Sequence, residues 1–269
     1  VRIYNNRWTI GALVIAAGAA FCGPALADAP TADAWIGTWK LDPSKSDFSG
    51  ETMTYSKSPT GKYRYSEGPA SYEFAMDGKA YPAPYARTAI WTQVSDHVWD
   101  SISSREGAPT IHIHRELSAD GKTLNVTATG TNPDGTSIDE SSVFQRVGGG
   151  TGLAGKWRSV KTNAASPAVF IVSSPSPGIM RFEIPEWRQT AEGKLDGSDL
   201  PLTGPSATPG LTFSGKVDPS GKFNYMLKYQ GKADMYGVQT MAADGKSYTD
   251  VTWPAGKPNE KTTGVYVKQ

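Results

Sequence analysis

The feature that most constrains the fold is that the chain is written twice. Gly37-Thr38-Trp39 opens one copy, and Gly155-Lys156-Trp157 opens a second 118 residues later. Asp77-Gly78-Lys79 aligns with Asp196-Gly197-Ser198 at an offset of 119, and Asp120-Gly121-Lys122 with Asp244-Gly245-Lys246 at 124. Each copy closes on an alternating segment, Ser142 to Val147 in the first and Thr263 to Lys268 in the second. Landmarks in one order at a near-constant offset mark a duplicated domain, since the period is far too long for a solenoid repeat. Gly148-Gly149-Gly150-Thr151-Gly152 between the copies has the composition of a flexible linker. The expected division is a leader at 1–27, a first module at 28–147, a linker at 148–152 and a second module at 153–269.

Each copy reads as short strands punctuated by turns. In the first, 35–41, 52–57, 63–67, 72–76, 87–94, 97–104, 110–118, 124–131 and 138–147 alternate in polarity or are rich in β-branched and aromatic residues. Asp-Gly and Pro-x-Gly signals separate them, and glycine there supplies the positive φ of a tight hairpin. No amphipathic helix longer than about two turns satisfies the i, i+3, i+4, i+7 test. About nine strands in chain order must dispose of two sheet edges, and closure into a barrel removes them. The expected fold is all-β: two tandem up-and-down meander β-barrels after a signal peptide.

The first residues read as that signal. Arg2 and Arg7 precede an apolar stretch from Ile10 to Phe21, and Ala25-Leu26-Ala27 is a small-x-small cleavage site. The mature chain is then expected at Asp28, in the periplasm or secreted. Phe21 before Cys22 argues against lipid attachment. Cleavage removes Cys22, the one cysteine, which leaves neither disulfides nor thiolate metal sites. The chain carries 27 Lys+Arg against 26 Asp+Glu, and loss of Arg2 and Arg7 leaves 25 against 26. That balance offers nothing to a polyanion, so no nucleic-acid partner is expected. No later apolar run is long enough to cross a membrane.

Gly37-Thr38-Trp39-Lys40-Leu41-Asp42-Pro43-Ser44-Lys45-Ser46 resembles the first strand of lipocalin-like (calycin) barrels. It is closer still to bacterial exported proteins of unknown function that open on Gly-Thr-Trp-Lys-Leu and carry Asp-Gly-Lys turns; Gly155-Lys156-Trp157 repeats the signature. The resemblance implies that Trp39 and Trp157 are structural, each packing across one end of a barrel. The chain departs from lipocalins in lacking their disulfide and an evident C-terminal helix.

Several residues are candidates for chemistry. His112 and His114 alternate with Ile111 and Ile113, so both imidazoles share one face of a strand. Inside a barrel they are close enough to share a zinc ion or an anion, with His97 or a carboxylate as a further ligand. If the isoleucines fill the core, the histidines face water, the ordinary state of such a strand. The second copy has no histidine. Trp91, Trp99, Tyr81 and Tyr85, and in the second copy Trp187, Trp253, Tyr225, Tyr229 and Tyr236, can line a ligand cavity or pack as core. Arg87 and Arg181 either hold a carboxylate inside a barrel or, more ordinarily, point to solvent. Acidic pairs such as Asp139-Glu140, or Glu67 with Glu73, have no spacing that fixes an acid and a base. The glycine-rich stretch lacks the Lys-Ser/Thr and following helix of a phosphate loop.

Three functions fit these residues. The first is a binding protein for a small apolar or aromatic ligand, held in a lumen. The second is an envelope protein that binds a partner or glycan through an outer aromatic patch, the modules adding effective concentration. The third is an enzyme using His112 and His114. Binding ranks first; no cofactor and no metal are expected, and the sequence leaves the oligomeric state open.

Overall fold

Alternation with period two decides where each side chain goes. In the segment Thr123–Thr131, Leu124, Val126 and Ala128 are buried while Asn125, Thr127 and Thr129 are exposed. The recurring Asp-Gly motif has a local cause. Asp77, Asp120, Asp196 and Asp244 each accept a hydrogen bond on Oδ1 from the backbone N–H two residues on, at 2.9–3.1 Å. The intervening glycine takes the left-handed conformation, as at Gly121 (φ 69°).

The computed structural model describes residues 32–269 apart from 107, 109 and 165–167. The leader read at 1–27 lies outside the described residues. In chain order the first strands are β1 (Gly37–Leu41), β2 (Thr52–Lys57), β3 (Tyr63–Glu67), β4 (Ala70–Phe74), β5 (Ala80–Ala83), β6 (Arg87–Ser95) and β7 (Val98–Ser104). Then come β8 (Ile111–Leu117), β9 (Thr123–Thr131), β10 (Ser137–Gly148), β11 (Gly155–Asn163), β12 (Val169–Ser176), β13 (Ile179–Ile184) and β14 (Gln189–Gly193). The last are β15 (Leu200–Pro201), β16 (Leu211–Val217), β17 (Phe223–Tyr229), β18 (Lys232–Met241), β19 (Ser247–Pro254) and β20 (Thr262–Lys268). Only short 3₁₀ turns accompany them among the described residues, and no helix there is long and apolar enough to cross a membrane.

The strands form two ten-stranded antiparallel sheets, each curled into a nearly closed barrel. One runs β4-β3-β2-β11-β10-β9-β8-β7-β6-β5, and the other β14-β13-β12-β1-β20-β19-β18-β17-β16-β15. The architecture is the duplicated meander expected, with one more strand per copy. The extra strands, β5 and β15, are short and contain Pro82 and Pro201; a strand with proline survives at a sheet edge, which is where both lie.

The sequence repeat and the sheets divide the chain at different places. β1, from the first copy, lies between β12 and β20 in the second barrel, with Trp39 opposite Phe170 and Lys268. β11, from the second copy, lies between β2 and β10 in the first, with Trp157 opposite Met53 and Arg146. The copies have therefore exchanged their opening strands. Gly148–Gly152 joins two neighbouring strands of the first barrel rather than one barrel to the other. The exchange is feasible because the two strands are chemically alike. Trp39 and Trp157 are both fully buried, and their Nε1 groups donate to Trp35 O (2.8 Å) and Leu153 O (3.0 Å). A cation covers each ring: Lys268 Nζ lies 5.1 Å from Trp39, and the Arg146 guanidinium 4.1 Å from Trp157.

The barrels touch through their other ends. Thr52 donates its N–H and hydroxyl to Glu260 at 3.0 and 2.6 Å, Arg105 donates to Ser206 O and Ala207 O, and the Tyr85 hydroxyl donates to Asp234 at 2.6 Å.

Candidate functional site

β8 carries the residue that most needs explaining. Its burial alternates strictly, with Ile111, Ile113, Arg115 and Leu117 inside and His112, His114 and Glu116 outside. Arg115 is thus held in the first barrel by the same periodicity that buries its isoleucines, and it is fully buried. Its Nε donates to the Tyr55 hydroxyl (3.1 Å) and its Nη1 to Ser101 Oγ (2.9 Å), while the guanidinium lies 4.1 Å from the Trp91 ring. Phe74 stacks on Trp91 with centroids 4.1 Å apart, and Trp91 Nε1 donates to the Tyr72 hydroxyl at 3.0 Å.

Two buried donors in this cluster have no acceptor among the described residues: Arg115 Nη2 and the indole N–H of Trp99. They belong to cross-strand neighbours, since Trp99 stands opposite Arg115. No described carboxylate forms an ion pair with Arg115. The nearest acidic group in the network, Glu67, accepts from the Tyr65 hydroxyl at 2.6 Å. Burial pushes the Tyr55, Tyr65 and Tyr72 hydroxyls above the usual tyrosine range, so all three are neutral; Arg115 opposes that shift at Tyr55 and Tyr72. A buried cation with no carboxylate in contact is a costly arrangement for a protein to keep.

Above this cluster the barrel mouth forms a cleft of about 610 Å³. Tyr55, Tyr63 and Trp99 line it from the barrel, with the Gly148–Gly152 loop, Lys57 and Lys156 around them. Tyr55 thus lines the cleft and also binds Arg115, so the guanidinium lies one side chain below the floor. The level beneath is filled by Trp91, Trp99, Trp157, Tyr55, Tyr65 and Phe74. The space available to a ligand is at the mouth, where the sequence reading placed it in the lumen.

The other candidate residues are distributed as follows. His112 and His114 are exposed on the outer face, and His114 Nδ1 lies 2.7 Å from Asp100 Oδ1. His97, on the β6–β7 turn, pairs with Leu117 O and does not join them. Among the described residues no group of three His, Cys, Asp or Glu could hold a metal ion. Trp91 and Trp99 are both inside the first barrel. Arg87, expected to point to solvent, is buried because it is in phase with Ala89 and Trp91; its Nε and Nη2 bind Ser103 Oγ and O at 2.7 and 2.8 Å. Arg181 faces outward beside Glu183 and Glu192. Trp187 is buried at the end of β13, and Trp253 is half-exposed on the outer face of the second barrel, stacked on Tyr236. Of the seven described tryptophans only Trp253 lies outside, which leaves little for an outer aromatic patch.

Sequence reasoning passed over Arg115 and Ser101. The signal was present: an arginine two residues beyond Ile113, on the isoleucine side of the strand, must be inside if the isoleucines are.

No protein-family model matches this chain, and no curated protein matches it. The fold and the site geometry therefore carry the functional argument.

Proposed function

We propose that this is an exported binding protein whose first barrel takes a small apolar or aromatic molecule at its mouth, an acidic group of that molecule reaching Trp99 Nε1 and Arg115 Nη2 as the Tyr55 ring at the cleft floor gives way. The observation that carries the reading is the pair of buried donors without acceptors, on cross-strand neighbours directly under a cleft. A carboxylate or sulfonate has the charge for Arg115 and enough lone pairs for both donors. The aromatic walls Tyr55, Tyr63 and Trp99 suit a flat apolar body, and Lys57 and Lys156, two cations against the single carboxylate of Asp96 in the lining, favour the approach of an anion.

The test uses 8-anilinonaphthalene-1-sulfonate, an aromatic anion whose emission rises on binding. Saturable binding that falls at least about tenfold in Arg115→Met is expected, since a desolvated charge-assisted pair is lost. Equal binding by parent and variant removes Arg115 from the site, and absence of saturable binding by the parent removes the reading.

A further inference from the structure

One outer face of the first barrel gathers positive charge, although the chain as a whole is nearly balanced. Its centre is β11, where Lys156, Arg158 and Lys161 are exposed while Gly155, Trp157 and Ser159 are buried. Arg64 is exposed on β3, and the exposed Lys57 and Lys62 flank the β2–β3 turn. Lys57 joins the two groups. It lines the mouth cleft together with Lys156, and a shallow depression of about 260 Å³ together with Lys62 and Arg64. Arg64 lies 3.9 Å from Glu73, and none of the other five cations forms an ion pair among the described residues. Glu73 and Glu51 border the face, and Glu260, at its Thr52 end, is matched by Lys257 at 3.0 Å. The second barrel lacks this accumulation: Thr38 and Lys40 of β1 take the places of Lys156 and Arg158, and Arg181 is answered by Glu183 at 3.1 Å.

Two bulges set apolar side chains among these cations. The register of the β10–β11 ladder slips between Val143 and Phe144, where Val160 is the extra residue, and between Arg146 and Gly148, where Val147 is. Val147 and Val160 are 51 % and 46 % exposed, two of the three large hydrophobic residues exposed among the described ones. Val160 lies between Arg158 and Lys161 along β11, and Val147 precedes Gly148, which stands opposite Lys156. A single exposed valine is ordinary, but bulges re-aim side chains, and here two in one ladder each add a valine to a cationic face.

We propose that this face docks on an anionic lipid surface. Each Lys or Arg brought to such a surface strengthens binding by about fivefold. Apolar side chains beside them enter the layer between headgroups and acyl chains, a use that a soluble polyanion does not offer them. The cleft opens at the edge of this face, at Lys57 and Lys156, so docking brings the mouth to a bilayer from which an acidic amphiphile can be drawn. That choice of cargo rests on the binding function proposed above; the docking does not.

The experiment measures co-sedimentation of the full-length protein with phosphatidylcholine vesicles, with and without about one-third phosphatidylglycerol. Binding is expected to be at least about tenfold tighter to the anionic vesicles, and to be lost near 0.5 M salt, roughly, where the Debye length is a few ångströms. Arg158→Gln with Lys161→Gln, neither of which lines the cleft, is expected to lower that affinity at least about tenfold. Val147→Ser with Val160→Ser is expected to lower it severalfold. Equal binding to both vesicles, no binding to either, or undiminished binding by the Arg158 and Lys161 variant overturns the proposal. Retention on heparin without vesicle binding assigns the face to an acidic macromolecule and overturns it as well. Anilinonaphthalenesulfonate binding, measured without vesicles on the same samples, reports the mouth separately: its persistence in the variants certifies the fold, and its absence from the parent leaves the vesicle result standing.

Discussion

The two barrels share a topology strand for strand and differ in what they put inside. Arg115 of the first corresponds to Gln239 of the second, since Trp99 faces one and Phe223 the other. Beside Arg115 stands Val126; beside Gln239 stands Asp250, which is fully buried. Trp91 opposite Ser101 becomes Gly215 opposite Tyr225, a large–small pair turned round. Tyr225 then covers Gly237, where any side chain would collide with its ring. The second interior is thus a closed polar cluster: Gln239 donates to Asp250, and the Tyr225 hydroxyl approaches both carboxyl oxygens at 3.3 and 3.4 Å. The first keeps two unanswered donors and an open seam. The difference teaches that duplication let one copy answer its buried carboxyl with neighbouring side chains, while the other kept a buried guanidinium with one nitrogen unanswered.

The comparison can be broken most directly at the exchanged strands. Trp39→Ala and Trp157→Ala should each cost about 3–5 kcal/mol, as loss of a buried tryptophan does. Their effects should cross over. Trp39→Ala, a change in the first repeat, should speed amide exchange in residues 169–268, and Trp157→Ala in residues 52–148. Exchange that loosens the mutated copy instead would refute the exchanged topology.

Arg115→Met should leave the first barrel as stable as before or up to about 4 kcal/mol more stable, because replacing a buried unpaired charge with an apolar chain of similar volume relieves its desolvation. A large loss in thermal denaturation would make Arg115 a structural residue and weaken the contrast between the interiors.

Asp250→Asn sharpens the other side. Burial raises the Asp250 carboxyl well above its ordinary value of 3.8. The native state therefore keeps a proton that the unfolded chain releases, and stability falls as pH rises from about 4 toward the native pKa. Asn has no proton to lose, so the variant should be the more stable of the two at pH 7, with the advantage vanishing near pH 4. A constant difference across that range would mean that Asp250 is ionised in place. The smallest effect belongs to His114→Ala: its pair with Asp100 is half-exposed on the outer face, so stability should change by less than about 0.5 kcal/mol.

Most of the fold was legible because it rests on period-two alternation and Asp-Gly turns, both local signals. β2 and β3 fall where the residues place them; β5 and β15 were hidden by proline. The outward turn of His112 and His114 follows from their alternation with Ile111 and Ile113, and the same logic extended two residues further exposes Arg115. The strand exchange had no sequence signal, because identical Gly-x-Trp openings fit either slot equally well. The contact of Tyr85 with Tyr229 and Asp234 was hidden for a related reason: they meet only once two sheets are placed side by side.

The pairing of Trp39 with Lys268 has a consequence for how the molecule is made. β1 leaves the ribosome ahead of every other described strand and is among the last of them to find its neighbours, since one of these is β20. The first barrel can be completed as soon as β11 has appeared, whereas the second waits for its final residues while β1 stays unclaimed. Synthesis from the N-terminus would thus finish one barrel early and close the other in a single late step, with slow, long-range kinetics to match.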